Sequence, residues 1–66
     1  MTLGEQRVQR NFNPSANPDV EKLKTLYANI IDTLEELKTP TNGRTIEVAQ
    51  LQAETSCMYA VKSLFN

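Results

Sequence analysis

Pro40 divides this sequence. It stands in Lys38-Thr39-Pro40-Thr41-Asn42-Gly43, where it lacks the N–H a helix needs and pushes the residue before it out of the α region. Helical periodicity runs up to it and resumes beyond it. Val20, Leu23, Tyr27, Ile30, Leu34 and Leu37 recur at steps of three and four, which sets them in one seam down a helix. Asn17-Pro18-Asp19 gives that helix a side-chain acceptor, a preset φ and a negative charge at its positive end. The spacing predicts a helix over 17–38, a turn over 39–43 with Gly43 at a positive φ, and a second helix over 44–65. The fold class expected is all-α: an antiparallel helical hairpin, in a single domain spanning 1–66.

The second helix is too apolar for one neighbour. Ile46, Val48, Ala49, Leu51, Ala53, Cys57, Met58, Ala60, Val61, Leu64 and Phe65 mostly fill an arc of roughly 200°, twice what a single packed face uses. A lone hairpin would leave much of Leu51, Met58 and Phe65 in water, a patch soluble monomers seldom tolerate. With 66 residues, one cysteine and no histidine, neither core size, an internal disulfide nor a zinc site makes up the deficit. Assembly into a homo-oligomeric helical bundle is the expected remedy. Cys57 then reads as a buried small hydrophobe in a reducing compartment, and Glu47, Gln50 and Glu54, at the border of the arc, as residues that set register between subunits.

The net charge of −1 offers no basic field for a DNA or RNA polymer. No run of about 18 apolar residues and no apolar leader points to a membrane partner or export, so the expected compartment is the cytoplasm. Catalytic residues, a metal and a cofactor are not expected, because histidine, an activated nucleophile, a phosphate loop and a ligand cluster are all missing from the pattern. A pocket of about 300 Å³ needs more walls than two helices supply, so a ligand site must lie between subunits.

Residues 1–16 form a different kind of segment, an arm or short helix. Thr2-Leu3-Gly4-Glu5 has the spacing of a capping box and would start a short helix carrying Leu3 and Val8. The stretch Asn11-Phe12-Asn13-Pro14-Ser15-Ala16-Asn17-Pro18 reads as turn and loop. Phe12 is either a plug folded onto the apolar seam or a stacking platform for a flat ligand. In the second case Arg7 or Arg10 supplies charge, and Asn11 and Asn13 supply directed hydrogen bonds. Lys24, at the seam's edge, either snorkels or places its ammonium over a subunit boundary. Lys22, Asp32, Glu35 and Glu36 read as a solvated face. Arg44 opposes the dipole of the second helix, so it either pairs with Glu47 or meets an anion elsewhere. In a two-fold assembly, an aromatic ring and a lysine from each copy suit a ligand with two planar bases and two phosphates.

The residues Arg10, Phe12, Asn13 and Pro14, then Val20, Leu23, Lys24, Ile31 and Asp32, then Arg44, Ala49, Met58, Ala60, Val61 and Lys62 carry a likeness across nearly the whole chain. It resembles the phage hairpin domain shared by anti-CBASS cyclic-oligonucleotide sponges and the helical part of anti-Thoeris sponges. The resemblance implies a homohexamer built from dimers that binds cyclic dinucleotides between protomers and sequesters them uncleaved in the host bacterial cytoplasm, so that the CBASS effector stays inactive. It implies that Phe12 stacks on bases and Lys24 meets a phosphate, and that Arg44 serves a second site for cyclic trinucleotides. The chain departs from the family where the aromatic, often Tyr, is Phe12, and where a small polar residue two positions after the lysine is Leu26. A reading of another class is a small interaction module whose apolar arc docks on a host or phage protein as a helix in a groove.

Overall fold

The computed structural model describes residues 1–10, 12–13 and 16–65. Among them it contains three helices and no strand: α1 (Leu3–Arg7), α2 (Pro18–Glu36) and α3 (Gly43–Ser63). The capping box forms at α1, with Thr2 Oγ1 accepting from the Glu5 N–H and the Glu5 carboxylate accepting from the Thr2 N–H. Asn17 caps α2 by accepting the Asp19 N–H, and Pro18 occupies its first turn.

The turn closes on Asn42, whose amide accepts from Thr39 N–H at 2.7 Å and donates to Leu37 O at 3.1 Å. That staple leaves Gly43 inside the first turn of α3 with no positive φ, contrary to the expectation from its sequence position. A Cβ at Gly43 would meet nothing within 4 Å. Gly43→Ala should therefore stabilise the fold by about 0.4–1 kcal/mol by restricting the unfolded chain, read as a rise in Tm.

α2 and α3 run antiparallel. Tyr27 and Ser56 share a hydroxyl hydrogen bond at 2.6 Å, Lys38 lies 3.8 Å from Glu47, and between them Gln50 donates to Ile31 O at 3.1 Å and Glu35 at 3.0 Å. Gln50 is 1% exposed. Within this chain it fixes the register of the two helices, and Glu54 is tied to Arg7 of α1. Both roles differ from the intersubunit one expected of them.

The seam on α2 is also displaced. Val20, Lys24, Ala28 and Ile31 are its buried line, whereas Ile30 and Leu37, expected on the seam, are exposed, with Leu26 beside them. The cause is α1, which settles on the opposite flank. Gly4 has no Cβ to hold it off the Ala28 carbonyl, and its N–H donates to Asp32 Oδ1 at 2.7 Å. Asp32, expected on a solvated face, is thus an anchor for the arm. Val8, Ala28, Ile31 and Cys57 form the core, with Leu3, Tyr27, Ala53 and Val61 packed against it.

The result is a thin slab, 40 × 23 × 12 Å, whose radius of gyration of 12.4 Å exceeds the roughly 10.8 Å of a compact chain this long. Leu51, Met58 and Phe65 are more than half exposed. Met58 flanks α1, while Ile30 points roughly 160° away from Asp32 around α2. The two apolar strips therefore lie on different sides of the hairpin. No helix among the described residues is long and apolar enough to cross a membrane.

Candidate functional site

The arm returns toward α2 through a tight C-terminal cap on α1. Gln9 N–H donates to Gln6 O at 3.2 Å and Arg10 N–H to Glu5 O at 2.9 Å, the paired bonds of a Schellman motif. The first of the two donors, Gln9, takes φ 53°, a conformation in which a Cβ costs on the order of 1 kcal/mol. Glycine usually stands there.

Lys24 holds this bend from below. Its residue is 7% exposed, and its ammonium donates to Gln9 O at 2.9 Å and to Phe12 O. The Phe12 ring lies over it, 5.5 Å from Nζ to the ring centre. Phe12 itself is 64% exposed, so the ring roofs the ammonium and is not buried in the core. Two of the three ammonium hydrogens are taken by carbonyls, and among the described residues no carboxylate pairs with it. A buried cation with uncharged partners is costly unless an anion compensates it.

The other sequence-predicted residues surround this pair in different ways. Arg7 is paired with Glu54 at 3.2 Å. Arg10 reaches Glu21 at 3.0 Å and Thr25 at 3.3 Å, with Glu5 at 3.8 Å. Asn13 exchanges two bonds with the backbone of Asn17, donating to its carbonyl at 2.9 Å and accepting from its N–H at 3.2 Å. These side chains shape the loop from within. Arg44 is exposed at the start of α3, far along the sequence from the cluster, and its guanidinium has no ion-pair partner among the described residues. Asn11, Pro14 and Ser15 lie outside the described residues, and with them the hydrogen bonds expected of Asn11.

Among the described residues, two depressions meet at this bend. A cleft of about 280 Å³ runs between α1 and α3, with Lys24 and Cys57 on its wall and the Arg7–Glu54 pair at its edge. A shallower one of about 580 Å³ is bounded by Gln6, Gln9, Arg10 and Phe12. Gln9 lines both. Burial pushes the Cys57 thiol up, against a smaller opposing effect of the Lys24 charge, so it rests as the inert thiol. The Thr2 N–H holds the Glu5 carboxyl below its ordinary value, and the Gln50 amide does the same to Glu35. A depressed folded value means that the Thr2–Glu5 cap and the Gln50–Glu35 bond between helices contribute above the ordinary carboxylate range and weaken as pH falls through it.

Sequence reasoning found the aromatic and the lysine as separate features. It missed that Lys24 binds the backbone on which Phe12 sits, and it missed Gln6 and Gln9 altogether, because a glutamine at a helix C-terminus carries no signal by itself. No family model, curated protein or solved structure matches this chain.

Proposed function

We propose that this chain is a non-catalytic binder that sequesters a cyclic dinucleotide, with Phe12 stacking on a base and the Lys24 ammonium giving its remaining hydrogen to a phosphate. The observation that carries the reading is a buried ammonium that pairs with no carboxylate among the described residues, roofed by an exposed aromatic ring. A flat base joined to a phosphate satisfies both at once. Neither depression encloses a ligand of that size within one chain, so the site is completed by further copies. Two apolar strips on different sides of a thin slab favour such an assembly, and the resemblance extends it to a homohexamer built from dimers. From that resemblance comes also the wider role, a phage protein that withholds CBASS messengers in the host cytoplasm, and the use of Arg44 for a cyclic trinucleotide.

Thermal melts with and without cyclic dinucleotides test the reading. A ligand at a thousandfold excess over its Kd stabilises a fold by about 4.1 kcal/mol; no shift with any cyclic dinucleotide would refute it. Phe12→Ala should weaken binding roughly 5- to 150-fold, the worth of one stacked base. Because the ring is mostly in solvent, the same substitution should lower Tm by less than about 5 °C. Ligand recovered after heat denaturation should be intact.

A second reading rests on Leu26 and Ile30, exposed along one side of α2, with Leu37 exposed at its C-cap, which would suit a helix laid in a groove of another protein. It predicts single chains or dimers by native mass and indifference to nucleotides.

A further inference from the structure

The depression beside Phe12 offers few groups able to read a base. Its walls are Met1, Glu5, Gln6, Gln9, Arg10 and Phe12. Glu5 is engaged by Thr2 and Arg10 by Glu21 and Thr25. The polar side chains there without a hydrogen-bond partner among the described residues are the amides of Gln6 and Gln9.

Gln9 differs from Gln6 in its backbone. It occupies a left-handed position that glycine would fill without strain, yet a glutamine stands there, next to the stacking ring. Its carbonyl is fixed by Lys24, so the side chain starts from an anchored point. Strain retained at such a place points to use of the side chain.

We propose that Gln9 is the specificity-determining residue of this depression and that it selects adenine. The inference rests on the cyclic-dinucleotide reading above. With a base stacked on Phe12, the Gln9 amide oxygen accepts from the exocyclic amine of adenine, and the amide nitrogen donates to N7 on the same edge. Guanine presents two acceptors on that edge, of which one amide serves only one, so the choice holds for a base that turns its N7 edge to Gln9. Arginine or lysine serves both; the two arginines nearby are held by Glu54 and Glu21, and Lys24 has two of its three hydrogens on the Gln9 and Phe12 carbonyls. The chemistry left open is an amide's.

Titration calorimetry of the wild type and Gln9→Gly against cyclic di-AMP and cyclic di-GMP tests this, with melts run alongside. The wild type should prefer cyclic di-AMP by about tenfold or more. Gln9→Gly relieves the positive φ, so it should melt at the same temperature or up to about 8 °C higher. Its preference should nonetheless fall below about threefold, since stacking on Phe12 does not discriminate between bases. Three results overturn the inference and leave the cyclic-dinucleotide reading standing: a wild type that prefers guanine, one that prefers neither, or a preference unchanged in Gln9→Gly. Loss of all binding in a well-folded Gln9→Gly overturns it too, by assigning the amide to affinity and not to choice. Should the wild type bind no cyclic dinucleotide, both fall together.

Discussion

Lys24→Ala should lower Tm by roughly 10–20 °C and free the arm from the hairpin. Each hydrogen bond from an ammonium to a carbonyl contributes about 1.5–3 kcal/mol, and Lys24 makes two, to Gln9 and Phe12. Desolvation of the buried ammonium offsets part of this, and loss of the buried stem adds to it, which leaves a net of about 2–3 kcal/mol. In a chain this short 1 kcal/mol moves Tm by about 4–8 °C. The loss should be local before it is global. Amide exchange at Arg10 and Phe12, whose N–H groups close the bend onto Glu5 and Gln9, should accelerate more than exchange in α3. Lys24→Met keeps the stem without the charge and should restore part of the stability. A Tm within about 2 °C of wild type in Lys24→Ala would mean that the ammonium contributes nothing net. The consequence for the proposed binding follows from the same bonds: without them the Phe12 ring loses the carbonyl anchor beneath it, so any cyclic-dinucleotide melting shift should be lost in Lys24→Ala as well.

The hairpin was legible because its signals are local. Pro40, the Asn17-Pro18-Asp19 start and the Thr2–Glu5 capping box each act within four residues, and all three appear where the spacing put them. What periodicity could not give is the rotation of α2. Hydropathy weights Ile30 and Leu37 above Ala28, yet Ala28 is 2% exposed and Ile30 48%, because small residues permit the closest approach and the largest ones then face outward. The same limit hid Asp32 and Gln50, whose value lies in a partner distant in sequence, the Gly4 N–H for one and the Ile31 carbonyl for the other. Lys24 was visible as an anomaly near the seam. Its engagement with two arm carbonyls was not, since nothing in the sequence marks a carbonyl as left over. The wide apolar arc of α3 was read directly, and Leu51, Met58 and Phe65 remain exposed on the single chain.

Gly4→Ala and Gly43→Ala are the same substitution in two helices and should move stability in opposite directions. Both gain up to about 1 kcal/mol of helix propensity over glycine. At Gly43 the new methyl enters open space. At Gly4 it would overlap the Ala28 carbonyl oxygen and lie 2.7 Å from the carbonyl carbon and 2.8 Å from Asp32 Oδ1. Two of those atoms are backbone in the middle of α2, so α1 has to give way. Lifting α1 stretches the Gly4 N–H bond to Asp32, uncovers Val8, which is 6% exposed, and pulls Arg7 from Glu54. Overpacking of this kind costs about 1–3 kcal/mol, and the broken anchor adds to it, so Tm should fall by roughly 10–20 °C. The functional readout separates this from mere weakening. Because α1 carries the bend that ends in Gln9 and Phe12, Gly4→Ala should abolish the melting shift produced by a cyclic dinucleotide at temperatures where α2 and α3 remain folded by circular dichroism. Gly43→Ala should retain it in full. If Gly4→Ala lost stability yet kept the ligand-induced shift, the stacking surface would have to be independent of how α1 is seated, and the dinucleotide site would lie elsewhere on the hairpin.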